Sequence, residues 1–262
     1  MTRHRRLLAS GAPLLPESRA WRAAVNAAGG SVSGARLRLI DRLIRALKAG
    51  GAWDALDRLW IFAAENAAAA LIDLMAQSAA TAVNSPTFTA DRGFTGNGTS
   101  SYLDTNLSAT AAGLKFARDS ACFGGWMGAQ QSGTAFDFGW DYGAYSMIVT
   151  RYGANTVRCE VNAGTNPSGT PAISGHTGLF SADRSTSVLT TLYRNGVAEM
   201  TSNAPSTALQ NRKFGVGAYV GGPANFSSGR WASAHIGRSL GDGGQVRFHA
   251  ALRGYMTAIG VA

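Results

Sequence analysis

The chain has 262 residues, 45% of them hydrophobic and only 15% charged, with 33 glycines against 7 prolines. That balance excludes a disordered polyelectrolyte and a collagen-like repeat, and no stretch nears the roughly 18 apolar residues of a membrane span. The net charge of +9 divides unevenly: residues 1–80 hold eleven Arg/Lys and six Asp/Glu, hence +5, and residues 81–262 hold thirteen and nine, hence +4.

The start, MTRHRRLLASGAPLLPESRA, is basic. Arg3, Arg5 and Arg6 make residues 1–16 a basic arm suited to nucleic acid or an acidic protein surface, with a plain solvated tail as the other reading. Its apolar part, Leu7 to Leu15, is broken by Gly11 and Pro13, which argues against a cleaved leader. Residues 17–66 read as helical. Pro16-Glu17 or Ser18 opens a helix through RAWRAAVNAA that Gly29-Gly30 stops. Ser33 caps the next, in which Leu37, Ile40, Leu43, Ile44 and Leu47 share one face and Gly50-Gly51 ends the run. A third helix is expected from about Ala52, with Trp53, Leu56, Leu59, Trp60 and Phe62 as its apolar face. Three short helices bury little area alone, so this segment must pack against the following domain or a partner.

From Thr81 the composition turns to Gly, Ser, Thr and aromatics. Strands are expected near 86–90, 100–104, 119–128, 134–140, 145–151, 155–161, 178–183, 186–194, 197–201, 213–220 and 230–236. Asn195-Gly196 in LYRNGVAEM is a two-residue hairpin signal, because both residues tolerate positive φ. A last helix spans about 241–258. Many short strands between turn residues predict a mainly β chain, an antiparallel jelly-roll or β-sandwich over residues 67–262.

The motif order resembles the concanavalin A-like lectin/glucanase superfamily in its laminin-G-like form. GFTGNGTSSYLDT (93–105) resembles its early strand pair, DSACFGGWMGA (119–129) its Trp-bearing core strand, and TLYRNGV (191–197) its long strand ending in Tyr-x-Asn-Gly. RWASAHIGRSLGDGGQVRFHAALRGY (230–255) resembles its closing strand and short helix. The N-terminal run from AAGGSVSGARLRLIDRLIRAL onward resembles structural proteins of tailed bacteriophages and prophages, in which a helical segment precedes a lectin-like domain. The resemblance implies a virion protein made in the bacterial cytoplasm: a tail fibre, tail tip or head decoration component. Residues 1–66, with Arg3, Arg5, Arg6 and Trp21, would dock it to other virion proteins. The sandwich would bind host-surface polysaccharide, and several copies would surround a symmetry axis. A decoration or cement protein without ligand is the alternative, and a polysaccharide-degrading hydrolase is another.

Glycosidases need two carboxyl groups flanking the scissile bond. Residues 81–262 hold only Glu160 and Glu199 as glutamates, neither with a carboxylate two or three positions away, and Asp137 and Asp141 are four apart. A non-enzymatic role is therefore expected. The histidines His4, His176, His235 and His249 carry no triad signature. No phosphate loop or EF-hand pattern occurs, so no cofactor is expected, although loop Asp and Asn residues leave room for calcium. Cys122 and Cys159 have no CxxC or Cys/His context; buried free thiols are the default reading and a mutual disulfide the other. Basic residues of the β region are scattered, which disfavours nucleic acid. Sugar sites pair aromatic faces with amides and carboxylates. FDFGWDYGAY (136–145) has that character, so the candidate ligand residues are Trp140, Asp141, Tyr142 and Tyr145, with Asn155, Asn166 and Phe226 in other turns.

Overall fold

A computed structural model of the chain describes residues 12–140, 145–153, 156–164, 172–173, 175–220 and 223–262. Two helices lead. Helix α1 (Pro16–Ala27) has Pro at its first turn, and α2 (Gly34–Ala49) is capped by the Ser33 hydroxyl, which accepts from Arg36 N at 3.1 Å. The five apolar residues expected on one face of α2 are all buried, at about 1.5–3 kcal/mol for each such side chain withdrawn from water.

The third helix is a correction. Only one turn forms, α3 (Ala52–Ala55), and the chain then extends as strand β1 (Leu56–Trp60). An apolar spacing of three or four residues cannot distinguish a helix face from a strand covered on both sides. Here β1 pairs antiparallel with strand β14 (Arg230–Gly237), Leu59 opposite His235 and Trp60 opposite Ala234, and so satisfies backbone groups that a helix would leave open on β14. Trp60 stacks on Phe214 with ring centroids 6.5 Å apart. The segment 17–66 is thus built into the sandwich: α1, α2 and β1 share one apolar cluster with the strands.

After the short helix α4 (Ala67–Leu71) come β2 (Thr81–Val83), β3 (Thr87–Thr89), β4 (Gly93–Thr95), β5 (Tyr102–Ser108) and β6 (Ala121–Ala129). Then follow β7 (Phe138–Trp140), β8 (Tyr145–Val149), β9 (Arg158–Ala163), β10 (Gly178–Arg184), β11 (Thr190–Arg194), β12 (Val197–Ser202) and β13 (Lys213–Val216). Helix α5 (Gly241–Ala258) follows β14. Each expected strand region carries an observed strand, with β1, β2 and β4 in addition.

All named pairings are antiparallel. One sheet runs β12-β11-β10-β6-β14-β4-β3, with β1 sharing the β14 edge with β4; the other runs β2-β5-β13-β7-β8-β9. They form a β-sandwich. Its interior is set by the two-residue alternation of β6. Phe123 points inward, 5.9 Å from the Trp140 ring and 6.0 Å from that of Phe214, and a Cβ at Gly125 would meet the Phe138 ring at 2.4 Å. Trp126 points the other way, toward α5. Helices α2 and α5 contact each other over this outer face, giving a third layer.

Asn195 (φ 52°) and Gly196 (φ 77°) form the expected two-residue loop between β11 and β12. Its register is held from outside as well: Asn195 N donates to Leu179 O at 2.8 Å, and Asn195 Oδ1 accepts from Leu179 N at 2.9 Å.

Candidate functional site

The aromatic residues expected at a ligand face are not gathered. Trp140 is 1% exposed, wedged between Phe116 (centroids 5.4 Å) and Phe123. Its strand β7 lies between β13 and β8, and alternation turns the indole into the sandwich, so Trp140 is a core residue and not a ligand face. Tyr145 is half-buried against a small cluster of Phe136, Met147 and Val149, with the Arg158 guanidinium over its ring at 5.9 Å. Phe226 rests on Tyr102, centroids 6.2 Å apart. Asp141, Tyr142, Asn155 and Asn166 lie outside the described residues, as do Arg3, Arg5 and Arg6. Trp21 is 1% exposed and its Nε1 donates to Ile72 O at 3.1 Å, so it holds α1 onto the sandwich and offers no docking surface.

The buried carboxylates are taken up by structure. Asp137 accepts from Thr150 N (2.8 Å), Thr150 Oγ1 (2.7 Å), Ser227 Oγ (2.9 Å) and Gln131 Nε2 (3.2 Å). Burial raises its pKa, and the Thr150 donors oppose that rise. Asp57 accepts from Lys115 N and Phe116 N, and Asp73 from Met75 N, Ala76 N and Ser78. Glu160, fully buried, is ion-paired with Arg158 at 2.6 Å. Asp137, Asp57 and Asp73 each hold a loop or a neighbouring strand, Glu160 pairs along its own strand β9, and none of the four lines the groove described below. Among the described residues no three His, Cys, Asp or Glu side chains come together as a metal-binding group. No helix there is long and apolar enough to cross a membrane.

The cysteines are free and buried, Cys122 on β6 and Cys159 on β9, in opposite sheets. Desolvation pushes both thiols well up. His235 is fully buried, its Nε2 3.0 Å from Ser181 Oγ, and His176 Nδ1 lies 2.5 Å from Thr150 O.

A different place has the shape of a site. A groove of about 450 Å³ opens where α5 crosses the ends of β6, β10 and β11. From β6 come Trp126, Met127 and Gly128; from the start of β10, Thr177 and Gly178. The β11–β12 hairpin adds Arg194 and Asn195, α5 adds His249 and Arg253, and Val261 and Ala262 complete the lining. Trp126 backs the imidazole of His249, with centroids 5.9 Å apart and planes 19° apart. Burial lowers the His249 pKa, and the Arg253 charge one helical turn on lowers it further. Arg194 is oriented by Glu199, Nε to Oε1 3.1 Å. Gly178 (φ +99°) keeps the floor open: a Cβ there would meet Asn195 Oδ1 at 2.3 Å. The volume suits a small ligand, and among the described residues no acidic side chain lines it.

Sequence reasoning missed this groove because its parts come from positions 126 to 262. Signals existed for single residues only: the outward Trp126 on β6, and His249 with Arg253 at i, i+4 on α5.

No protein-family model matches the chain, and no curated protein matches it by sequence. Among solved structures it is similar to domain 4 of a GH43 extracellular arabinanase from Geobacillus stearothermophilus, in complex with arabinotriose. That likeness has 12% identity and a TM-score of 0.47, covering 74% of this chain and 98% of that one. A Trypanosoma rangeli sialidase in complex with 2,3-difluoro-KDN matches at 11% identity and TM-score 0.48, over 84% of this chain. The match spans 40% of the sialidase's length. An HCR/D mutant matches at 8% identity and TM-score 0.49, covering 74% of this chain and 51% of that one. The sandwich assignment itself rests on the strand pairing described above.

Proposed function

We propose that this protein is a non-catalytic saccharide-binding β-sandwich that binds its ligand in the groove between α5 and the ends of β6, β10 and β11. The observation that carries this reading is the lining: a Trp126–His249 pair, the amide of Asn195, the hydroxyl of Thr177 and two guanidinium groups around about 450 Å³. Amide, hydroxyl and guanidinium groups beside an aromatic wall match the hydroxyl-rich and CH-rich faces of a sugar. Glycoside hydrolysis would require a pair of carboxyl groups across the bond. Among the described residues the groove offers no acidic side chain, and Asp137 and Glu160 are engaged elsewhere.

The setting we propose is a tailed-phage or prophage particle, as the resemblance of the N-terminal sequence implies, with the groove displayed toward host-surface glycan. Because α1 and α2 are a layer of the sandwich, docking to other virion proteins would use their exposed faces and the arm before them. Titration calorimetry of the full chain against a set of oligosaccharides tests the binding role, and no heat at millimolar ligand removes it. Antibody labelling of intact particles tests the setting; particles that never carry the protein exclude it.

A further inference from the structure

We infer that the valley between α2 and α5 docks an acidic amphipathic helix of a partner protein. This goes beyond the saccharide reading and does not depend on it. The two helices run antiparallel. Arg247 near the start of α5 donates to Gly50 O at the end of α2 (3.0 Å), and Arg36 near the start of α2 donates to the Tyr255 hydroxyl near the end of α5 (2.7 Å). Between them lies a second groove of about 240 Å³, floored by Leu39 and Leu43 and walled by Ala46, Ala250, Gly254 and Ala258. The four wall residues are exposed, so the groove opens to solvent. Leu39 to Ala46 covers about two helical turns, as does Ala250 to Ala258. Small walls let a third backbone come close, and the leucine floor suits the apolar row of an amphipathic helix. Charge then names the partner. Helices α1, α2 and α5 hold nine Arg/Lys and three Asp/Glu, hence +6 of the chain's +9. The three acids are engaged: Glu17 with Lys48, Asp41 with Arg45, and Asp242 with the Tyr193 hydroxyl. Arg38 and Arg42 are exposed one turn apart on α2, and Arg42 lines the groove. Neither has an ion-pair partner among the described residues, and nor has Arg247. A second copy of the chain would set these cations against one another. The phosphates of a nucleic acid would meet the cations and leave the apolar floor uncovered. A helix with leucines in one row and glutamates on its flanks covers both.

The test uses the full chain and three synthetic helical peptides that share one row of leucines, with flanks of Glu, Gln or Lys. Binding is read by fluorescence anisotropy at low and at high salt. The Glu peptide is expected to bind about ten-fold more tightly than the Gln peptide, as a few exposed ion pairs together give, and the Lys peptide more weakly than either. The difference should shrink with salt, and the order of the Glu and Lys peptides should reverse when Arg38→Glu and Arg42→Glu are combined. Gly254→Leu should lose all three peptides. A Cβ at Gly254 meets no atom within 4 Å, so the new side chain fits the helix and fills the groove. Ala46→Leu fills it from α2, so the result stands if one of the two variants fails to fold in a urea titration. Binding of no peptide, or Glu-peptide binding that survives both blocks, overturns the docking groove. Equal binding of the Glu and Lys peptides overturns the acidic partner. A DNA duplex that binds as tightly as the Glu peptide assigns the face to nucleic acid, and a dimer in sedimentation that Gly254→Leu dissolves assigns it to a second copy; either result overturns the proposal.

Discussion

Arg36 Nη1 on α2 donates to the Tyr255 hydroxyl on α5 at 2.7 Å, across 219 positions of sequence. The same guanidinium pairs with Asp91 at 2.5 Å, and the Tyr255 hydroxyl donates to Ala63 O at 3.0 Å. One nearly buried cation thus ties the first helical layer to the last helix and to the β3–β4 turn. Tyr255→Phe keeps the ring and removes two hydrogen bonds, so it should cost about 1–3 kcal/mol in urea denaturation. Arg36→Ala removes the donor to the Tyr255 hydroxyl and the ion-pair partner of the partly exposed Asp91, and should likewise cost about 1–3 kcal/mol. The double variant should fall short of the sum, because both changes break the same contact.

Helix α5 begins without a side-chain cap of its own; its cap comes from β10. Asp183 accepts from Leu240 N (2.8 Å), Gly241 N (3.2 Å), Gln245 Nε2 (2.8 Å) and the Ser239 hydroxyl. The adjacent strand helps, with the Tyr193 hydroxyl donating to Asp242. Asp183→Ala leaves several buried donors unmet and should lower stability by roughly 3 kcal/mol or more, and Asp183→Asn by less. Amide exchange should accelerate first in the opening turn of α5. Protection there equal to that of the parent chain would contradict the capping role.

Stability should depend on pH through His235. Burial alone depresses its pKa from 6.5 to about 3, so the folded protein keeps it neutral while the unfolded chain takes up a proton. The contribution is complete above about 6.5 and is lost as pH falls toward about 3, at up to about 1.4 kcal/mol per pH unit. His249, lowered by burial and by Arg253, adds in the same direction. Between pH 7 and 5, His235→Gln should flatten the curve of unfolding free energy while leaving the His249 part. An unchanged slope would mean that His235 is not the group titrating.

Both thiols should be silent to a thiol reagent in the native protein. Cys122 and Cys159 are 0% and 1% exposed, and burial keeps them protonated. Modification requires the thiolate and access, so labelling should follow the rate of unfolding and reach two equivalents only in denaturant. Rapid labelling of either cysteine in buffer would show that its sheet opens on its own.

Local chemistry written in consecutive residues was legible from the sequence by itself. The α2 face from Leu37 to Leu47, the Asn195-Gly196 turn, α5 and the sandwich class all follow from periodicity, caps and turn residues, which act within a few positions. Residues 56–60 did not follow. Their apolar spacing fits a helix face, and the open edge of β14 made them a strand. Trp140 and Trp21 read as surface candidates because a Trp near glycines or in a basic helix carries no label for the side it faces; the sheet order and the Ile72 carbonyl put both inside. The groove was decided by tertiary structure alone. Trp126 and Arg194 come from two strands, His249 and Arg253 from one helix, and no periodicity links positions that distant. The pairing of β6 with β10 and of β10 with β11, together with the Asp183 cap that aims α5 across them, brings the two arginines to the same opening.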